Sequence, residues 1–289
     1  MASLIQGATL MHEHMHLDLS RIKKDPDTCL DCTQETLEEL RKLRKQGITR
    51  ILDVTNTGMG RDHDLLDWLE QESGIRILHS TGWYKDPFIP DEWSEKSPEE
   101  LADAMIREIR SGKAVVIGEI GTSKNRWTDN ERRLFEAAVL AHKATGAPVY
   151  THTTMSTLAL EQAQYLTGQG VEPDKIVIGH MDLAQDMDRI RKVLKTGVNI
   201  GFDTIGKSDY LPDEKRVQML LELEAEGLTD HVVLSMDITR KSQLEAFGGK
   251  GYPWLADHFI PSLLEAGLQP DTIRQMLIRT PDRILGEQT

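Results

Sequence analysis

Cysteine is nearly absent: the 289 residues contain two, Cys29 and Cys32, in Cys29-Leu30-Asp31-Cys32. Two thiols make no disulfide framework, and a zinc site here would need further ligands beside them. A redox pair of this spacing would open a helix of a thioredoxin-like unit, and that context is missing, so both read as inert reduced thiols. No uninterrupted apolar run is long enough to cross a bilayer, and Met1 to Gly7 lacks the basic and apolar regions of a signal peptide. The expected location is the cytoplasm. Basic charge is in deficit, with 34 Lys and Arg against 47 Asp and Glu, a formal charge of -13. Such a surface attracts neither nucleic acid nor an anionic membrane, which leaves a small molecule as the expected partner. A Walker pattern is lacking too: Phe247-Gly248-Gly249-Lys250-Gly251-Tyr252-Pro253 is glycine-rich but does not directly follow a strand, and reads as a lid or a surface loop.

Short β-branched runs alternate with amphipathic stretches along the whole chain. The candidate strands are Ala8 to His14, Arg50 to Thr55, Arg76 to Gly82, Ala114 to Ile120, Pro148 to His152, Lys175 to His180, Gly197 to Asp203 and His231 to Asp237. Between them, Ser97-Pro98-Glu99-Glu100 and Thr128 with Glu131 have the form of helix-starting capping boxes, while Gly47 and Gly146 can end helices. Eight strands in β-α order point to an α/β fold, a single (β/α)8 TIM barrel over residues 1–289. A doubly wound open sheet would need a strand-order reversal and usually a glycine-rich turn after its first strand, which here ends in Met11-His12-Glu13-His14.

Ionisable residues collect at the C-terminal ends of these strands, the face on which barrels build active sites. His12 and His14 share one face of the first strand, and Glu13 points to the other. Glu119, His152, His180 and Asp237 each interrupt or close an apolar run on the fourth, fifth, sixth and eighth strands. A lone strand histidine is usually a hydrogen-bonded core residue. Six such groups together would be costly to bury unpaired, and divalent cations supply the missing partner. Imidazoles with carboxylates suit zinc, manganese or iron better than magnesium or calcium. A carboxylate from a middle strand can bridge two ions about 3.5–4 Å apart. His16 reads as a bordering loop residue, and His63, His79, His142, His231 and His258 as structural or solvated.

The segments Thr9 to His14, Thr81-Gly82-Trp83-Tyr84, Gly118-Glu119-Ile120-Gly121-Thr122, Thr151-His152-Thr153, Gly179-His180 and Ser235 to Arg240 resemble, in order, those of the phosphotriesterase family of the amidohydrolase superfamily. The resemblance implies a hydrolase with two divalent metal ions, most simply Zn2+, with Mn2+ or Fe2+ as alternatives. His12, His14 and Asp237 would hold the buried ion, His152 and His180 the exposed one, and Glu119 with a hydroxide would bridge them. Well-known members carry a carboxylated lysine where Glu119 stands, so the resemblance alone does not imply phosphotriesterase activity itself. Asp237 would take the nucleophile's proton and pass it to the leaving group. A lactone is the implied substrate, with Tyr84 beside its carbonyl. The family's lactonases that act on sugar-lactone phosphates further imply an anionic tail, held by Lys207 and Arg240, with Arg216 and Lys241 nearby. The same centre could serve a phosphotriesterase, a phosphodiesterase, an amidase or a non-catalytic metal-binding barrel, and family members are often homodimers.

Overall fold

A computed structural model describes residues 3–286. Eight parallel strands run in sequence order round a barrel: β1 (Ala8–Glu13), β2 (Ile48–Asp53), β3 (Arg76–Thr81), β4 (Val116–Thr122), β5 (Val149–Thr153), β6 (Ile176–Ile178), β7 (Asn199–Phe202) and β8 (Val232–Leu234). Helices occupy the crossovers, as parallel pairing requires. The helix Thr33–Gln46 buries Leu37, Leu40 and Leu43 and stops at Gly47, whose φ of 109° is open to glycine. Each buried leucine contributes about 2 kcal/mol. Both expected capping boxes form, Ser97 with Glu100 and Thr128 with Glu131. Among the described residues, no helix is long and apolar enough to cross a membrane.

Three features differ from the sequence expectation. The last three strands are shorter: β6 and β8 stop before His180 and Asp237, whose φ values of 57° and 52° are left-handed and incompatible with a ladder. A small antiparallel ribbon, Leu17–Asp18 against Cys29–Leu30, follows β1 and carries the short helix Ser20–Lys23 between its arms. Strands of two residues leave no periodic signal. Finally, Glu13, on the face of β1 opposite His12 and His14, is fully buried in a role that the sequence does not indicate.

That residue closes the barrel. Among the described residues no ladder joins β8 to β1. Instead the Asp237 N–H donates to the His12 carbonyl at 3.3 Å, and the His12 N–H donates to Ser235 Oγ at 3.0 Å. The buried Glu13 carboxylate accepts from the Ser235 hydroxyl (2.9 Å) and from the N–H groups of Met236 (2.6 Å) and Ile238 (3.3 Å). Burial pushes this carboxyl up to about 7, against the pull of its three donors.

Candidate metal centre

The barrel brings all six sequence-predicted ligands to one place. His12 and His14 are fully buried, and Glu119, His180 and Asp237 nearly so. Glu119 depends on its neighbour: Gly118 has φ +127°, and a Cβ there would stand 2.1 Å from the Tyr150 carbonyl oxygen. The side chains then meet around Glu119. Its Oε2 lies 3.6 Å from His12 Nε2, 3.1 Å from His152 Nδ1 and 3.7 Å from His180 Nε2, and its Oε1 lies 3.6 Å from His14 Nε2. Asp237 Oδ1 is 3.5 Å from His12 Nε2 and 3.3 Å from His14 Nε2.

Most of these separations are long for hydrogen bonds. Two donors bound tetrahedrally at about 2.1 Å stand roughly 3.4 Å apart, so the spacing suits ligands of a shared cation. Three sets of potential ligand atoms lie within 4.8 Å of one another: His12, His14 and Glu119; His12, His180 and Asp237; and Glu119, His152 and His180. Both His12 ring nitrogens and His14 Nε2 are buried with no hydrogen-bond partner among the described residues. Buried polar atoms are rarely left that way. The residues therefore fit divalent cations.

The charge balance agrees. Burial alone would lower the His12 and His180 imidazoles, yet Glu119 and Asp203 raise the first, and Asp203 foremost raises the second. Burial alone would raise Glu119 and Asp237, yet the facing imidazoles hold Glu119 well below the ordinary carboxylate range, and Lys207 with His12 and His14 does the same for Asp237. His152 goes the other way, to about 4, because burial outweighs Glu119. The buried carboxylates of Glu119, Asp203 and Asp237 call for positive charge, and without a metal ion the groups in direct contact that supply it are protonated imidazoles and Lys207.

Asp203, at the end of β7, was not singled out in the sequence. Its Oδ1 accepts from His180 Nδ1 (2.8 Å) and from the His180 N–H (2.9 Å), and its Oδ2 accepts from the Tyr150 hydroxyl (2.8 Å). This orients the imidazole with Nε2 toward Glu119 and His152. The available signal was the one that marked the other ligands, a carboxylate closing an apolar run. Thr55 does the same for His14, 2.8 Å from its Nδ1.

The residues expected to bind substrate divide. Tyr84 is buried with its hydroxyl 3.1 Å from His152 Nε2, at the centre. Lys207 also reaches the centre, but its ammonium donates to Asp237 Oδ2. Arg240 is tied to Asp25 (2.5 Å) and Asp27 (3.4 Å), and Lys241 to Asp31 (2.5 Å). Arg216 is not at an anion site at all: wholly buried, it donates to Asp182, Thr204, Asp213 and the Leu211 carbonyl, and so braces the β7 loop. The remaining histidines stay outside the cluster. His63 and His79 pair through Nδ1 at 2.7 Å, His142 Nδ1 bonds the Ala147 carbonyl, and His258 stacks on Trp254. The glycine-rich loop ends at Tyr252, fully buried, whose hydroxyl donates to the His14 carbonyl at 2.6 Å.

His14, Glu119, His152, His180 and Asp237 line a cavity of about 230 Å3 with Tyr84, Lys23, Lys85 and Lys207. A second cavity, about 550 Å3, shares Lys207 and Tyr210 with it and extends toward Arg240 and Lys250.

The model of the phosphotriesterase family matches residues 2–285. The chain belongs to that family. Among its members, the phosphotriesterase homology protein of Escherichia coli is 42% identical, over 96% of this chain and 97% of its own. Its crystal structure, complexed with phosphate in the active site, superposes with a TM-score of 0.95 at 41% identity, covering 97% of this chain and 99% of that one. An aryldialkylphosphatase of Saccharolobus solfataricus is 30% identical over 80% of this chain and 76% of its own. A lactonase from Listeria monocytogenes matches with a TM-score of 0.91 at 26% identity, over 100% of this chain and 97% of that one. Phosphotriesterase-family relatives thus include both an aryldialkylphosphatase and a lactonase, two hydrolases.

Proposed function

We propose that this protein is a metal-dependent hydrolase of an ester-like bond, most simply a small lactone, working with two divalent ions. The observation that carries the reading is Glu119, common to two ligand sets, in one of which the His12 ring nitrogens and His14 Nε2 lack hydrogen-bond partners among the described residues. His12, His14 and Asp237 would hold one ion, His152 and His180 the other, with Glu119 between them. The donor set favours zinc, with manganese or iron as substitutes. Such ions, when bound, acidify a water and polarise the substrate carbonyl.

The chain's own residues do the rest. Asp237 takes the proton of the attacking water as the carbonyl carbon–oxygen bond forms. Lys207, hydrogen-bonded to Asp237 Oδ2, gives a proton to the alkoxide released when the ring C–O bond breaks. The proton held by Asp237 then returns to Lys207 along the same hydrogen bond. Tyr84 lies where its hydroxyl can donate to the carbonyl oxygen on the His152 side. The lactonase among the relatives supports this substrate class, and the phosphate-bound relative supports an anionic one.

The test is acid release from a library of lactones, with and without phosphate, by zinc- or manganese-loaded protein. Turnover lost on chelation, and lost in Asp237→Asn while metal content is kept, is the expected result. No turnover across the library, with both ions bound, would remove the lactonase reading.

A further inference from the structure

Five cationic side chains line the two joined cavities: Lys23, Lys85, Lys207, Arg240 and Lys250. Three are already neutralised within the protein. Lys207 is paired with Asp237, Arg240 with Asp25 and Asp27, and Lys250 with Ser208 Oγ (2.8 Å) and Asp213 (3.4 Å). Lys23 and Lys85 are different: among the described residues neither has a carboxylate or hydrogen-bond partner. Both line the smaller cavity, the one that holds His14, Glu119, His152 and Asp237. They enter it from separate loops, Lys23 from the helix Ser20–Lys23 after β1 and Lys85 from the turn after β3.

The surroundings make the missing partner costly for Lys85 above all. Leu19, Met59 and Phe88 share the cavity wall, and the half-buried Lys85 loses water to it, whereas Lys23 stays exposed at the cavity's rim. Lys85 Nζ stands 5.3 Å from the Tyr84 ring centroid and 5.7 Å from that of Phe88, contacts that steady a cation but do not neutralise it. Burial lowers both lysines from their ordinary value, as expected of cations short of a counter-charge.

We infer that Lys23 and Lys85 form an oxyanion-binding site inside the catalytic cavity, and that the substrate is a small lactone or ester carrying a negative group close to its scissile bond. The substrate-class part rests on the hydrolase reading above. The position differs from the one expected from the sequence, where the anion would lie at the far end of the cleft on Arg240. An anion in the cavity that Lys23 and Lys85 share with the ligand cluster lies beside that cluster, so it fixes the reacting bond as well as the molecule that carries it.

Inorganic phosphate is the probe, titrated calorimetrically into metal-loaded full-length protein and into Lys23→Met, Lys85→Met, the double variant and Lys85→Arg. Methionine keeps the length and packing of the side chain and removes the charge. Wild type should bind phosphate with a strong salt dependence, each methionine should weaken binding tenfold or more, and arginine should restore most of it. Unchanged affinity in the double variant, or no phosphate binding by wild type, would overturn the site. The second readout is the ratio of kcat/KM for a ring-carboxylated lactone to that for its neutral methyl counterpart. That ratio should fall at least tenfold in Lys85→Met; an equal loss on both substrates would make Lys85 a support for Tyr84 and overturn the proposal. If no lactone is turned over at all, the hydrolase reading fails by itself, and the phosphate titration still decides the anion site.

Discussion

On the two-ion reading proposed above, replacing Asp203 by asparagine should loosen one ion and spare the other. The carboxylate is fully buried and receives the His180 ring N–H, the His180 backbone N–H and the Tyr150 hydroxyl, all at 2.8–2.9 Å. An asparagine keeping its oxygen toward His180 retains those two bonds, and the Tyr150 hydroxyl can rotate to accept from the new amide. Shape and packing therefore survive, and what is lost is the charge behind the imidazole. A hydrogen bond to a charged acceptor is worth about 1–1.5 kcal/mol more than one to a neutral acceptor. That is roughly tenfold in affinity, at the low end of the 10–100-fold range for residues that orient metal ligands. Competition with a chromogenic chelator, followed by metal analysis, should release one ion per chain at about tenfold lower chelator concentration than in wild type. The ion held by His12 and His14 should move far less, because only His12 Nδ1, at 3.5 Å, faces Asp203 among its ligands. Wild-type release of both ions, or equal loosening of both, would refute this role for Asp203.

Three further outcomes follow from other parts of the molecule. Gly118→Ala must push a methyl to within 2.1 Å of the Tyr150 carbonyl at φ +127°, so the urea midpoint should drop by an equivalent of about 3 kcal/mol or more, and an unchanged midpoint would contradict the geometry. Arg216→Met strands Asp182 in the core and should cost about 3–5 kcal/mol of stability in chemical denaturation, whereas loss of substrate affinity without loss of stability would return Arg216 to the binding site. Glu39 is pushed up to about 7 by burial, against the N–H groups of Tyr252 and Glu245 that it accepts. Its folded value thus exceeds the ordinary 4.5, so its contribution to stability is complete below pH 4.5 and is lost as pH rises through 7. At 1.36 kcal/mol per pH unit the span is about 3 kcal/mol, and the pH dependence of the unfolding free energy between 4.5 and 8 should be shallower by that order in Glu39→Gln.

The eight barrel strands were legible because each is a short apolar run, and such runs are a local property of the chain. The six candidate ligands were legible for the same reason: each interrupts or closes a run that would otherwise be wholly apolar, and the β-α order puts all those ends on one face. Asp203 closes its run in the same way, and nothing in the sequence separates a carboxylate that orients a ligand from a carboxylate that is one. The ribbon after β1, which delivers Lys23 to the cavity, has arms of two residues and no period to detect.

What only the tertiary structure decided is which charges are spoken for. Lys207, Arg216 and Arg240 look alike in the sequence as cations on the loops after β7 and β8. In the fold they become a partner of Asp237, a buried brace for Asp182 and a surface pair with Asp25, a residue 215 positions away. Glu13 likewise reads as an outward side chain and proves to be the clasp of the β1–β8 seam. Side-chain periodicity records which face a residue takes. It carries no record of the distant residue that will stand opposite, and at the separations of ion pairs and hydrogen bonds that partner determines whether a charge is available to a ligand.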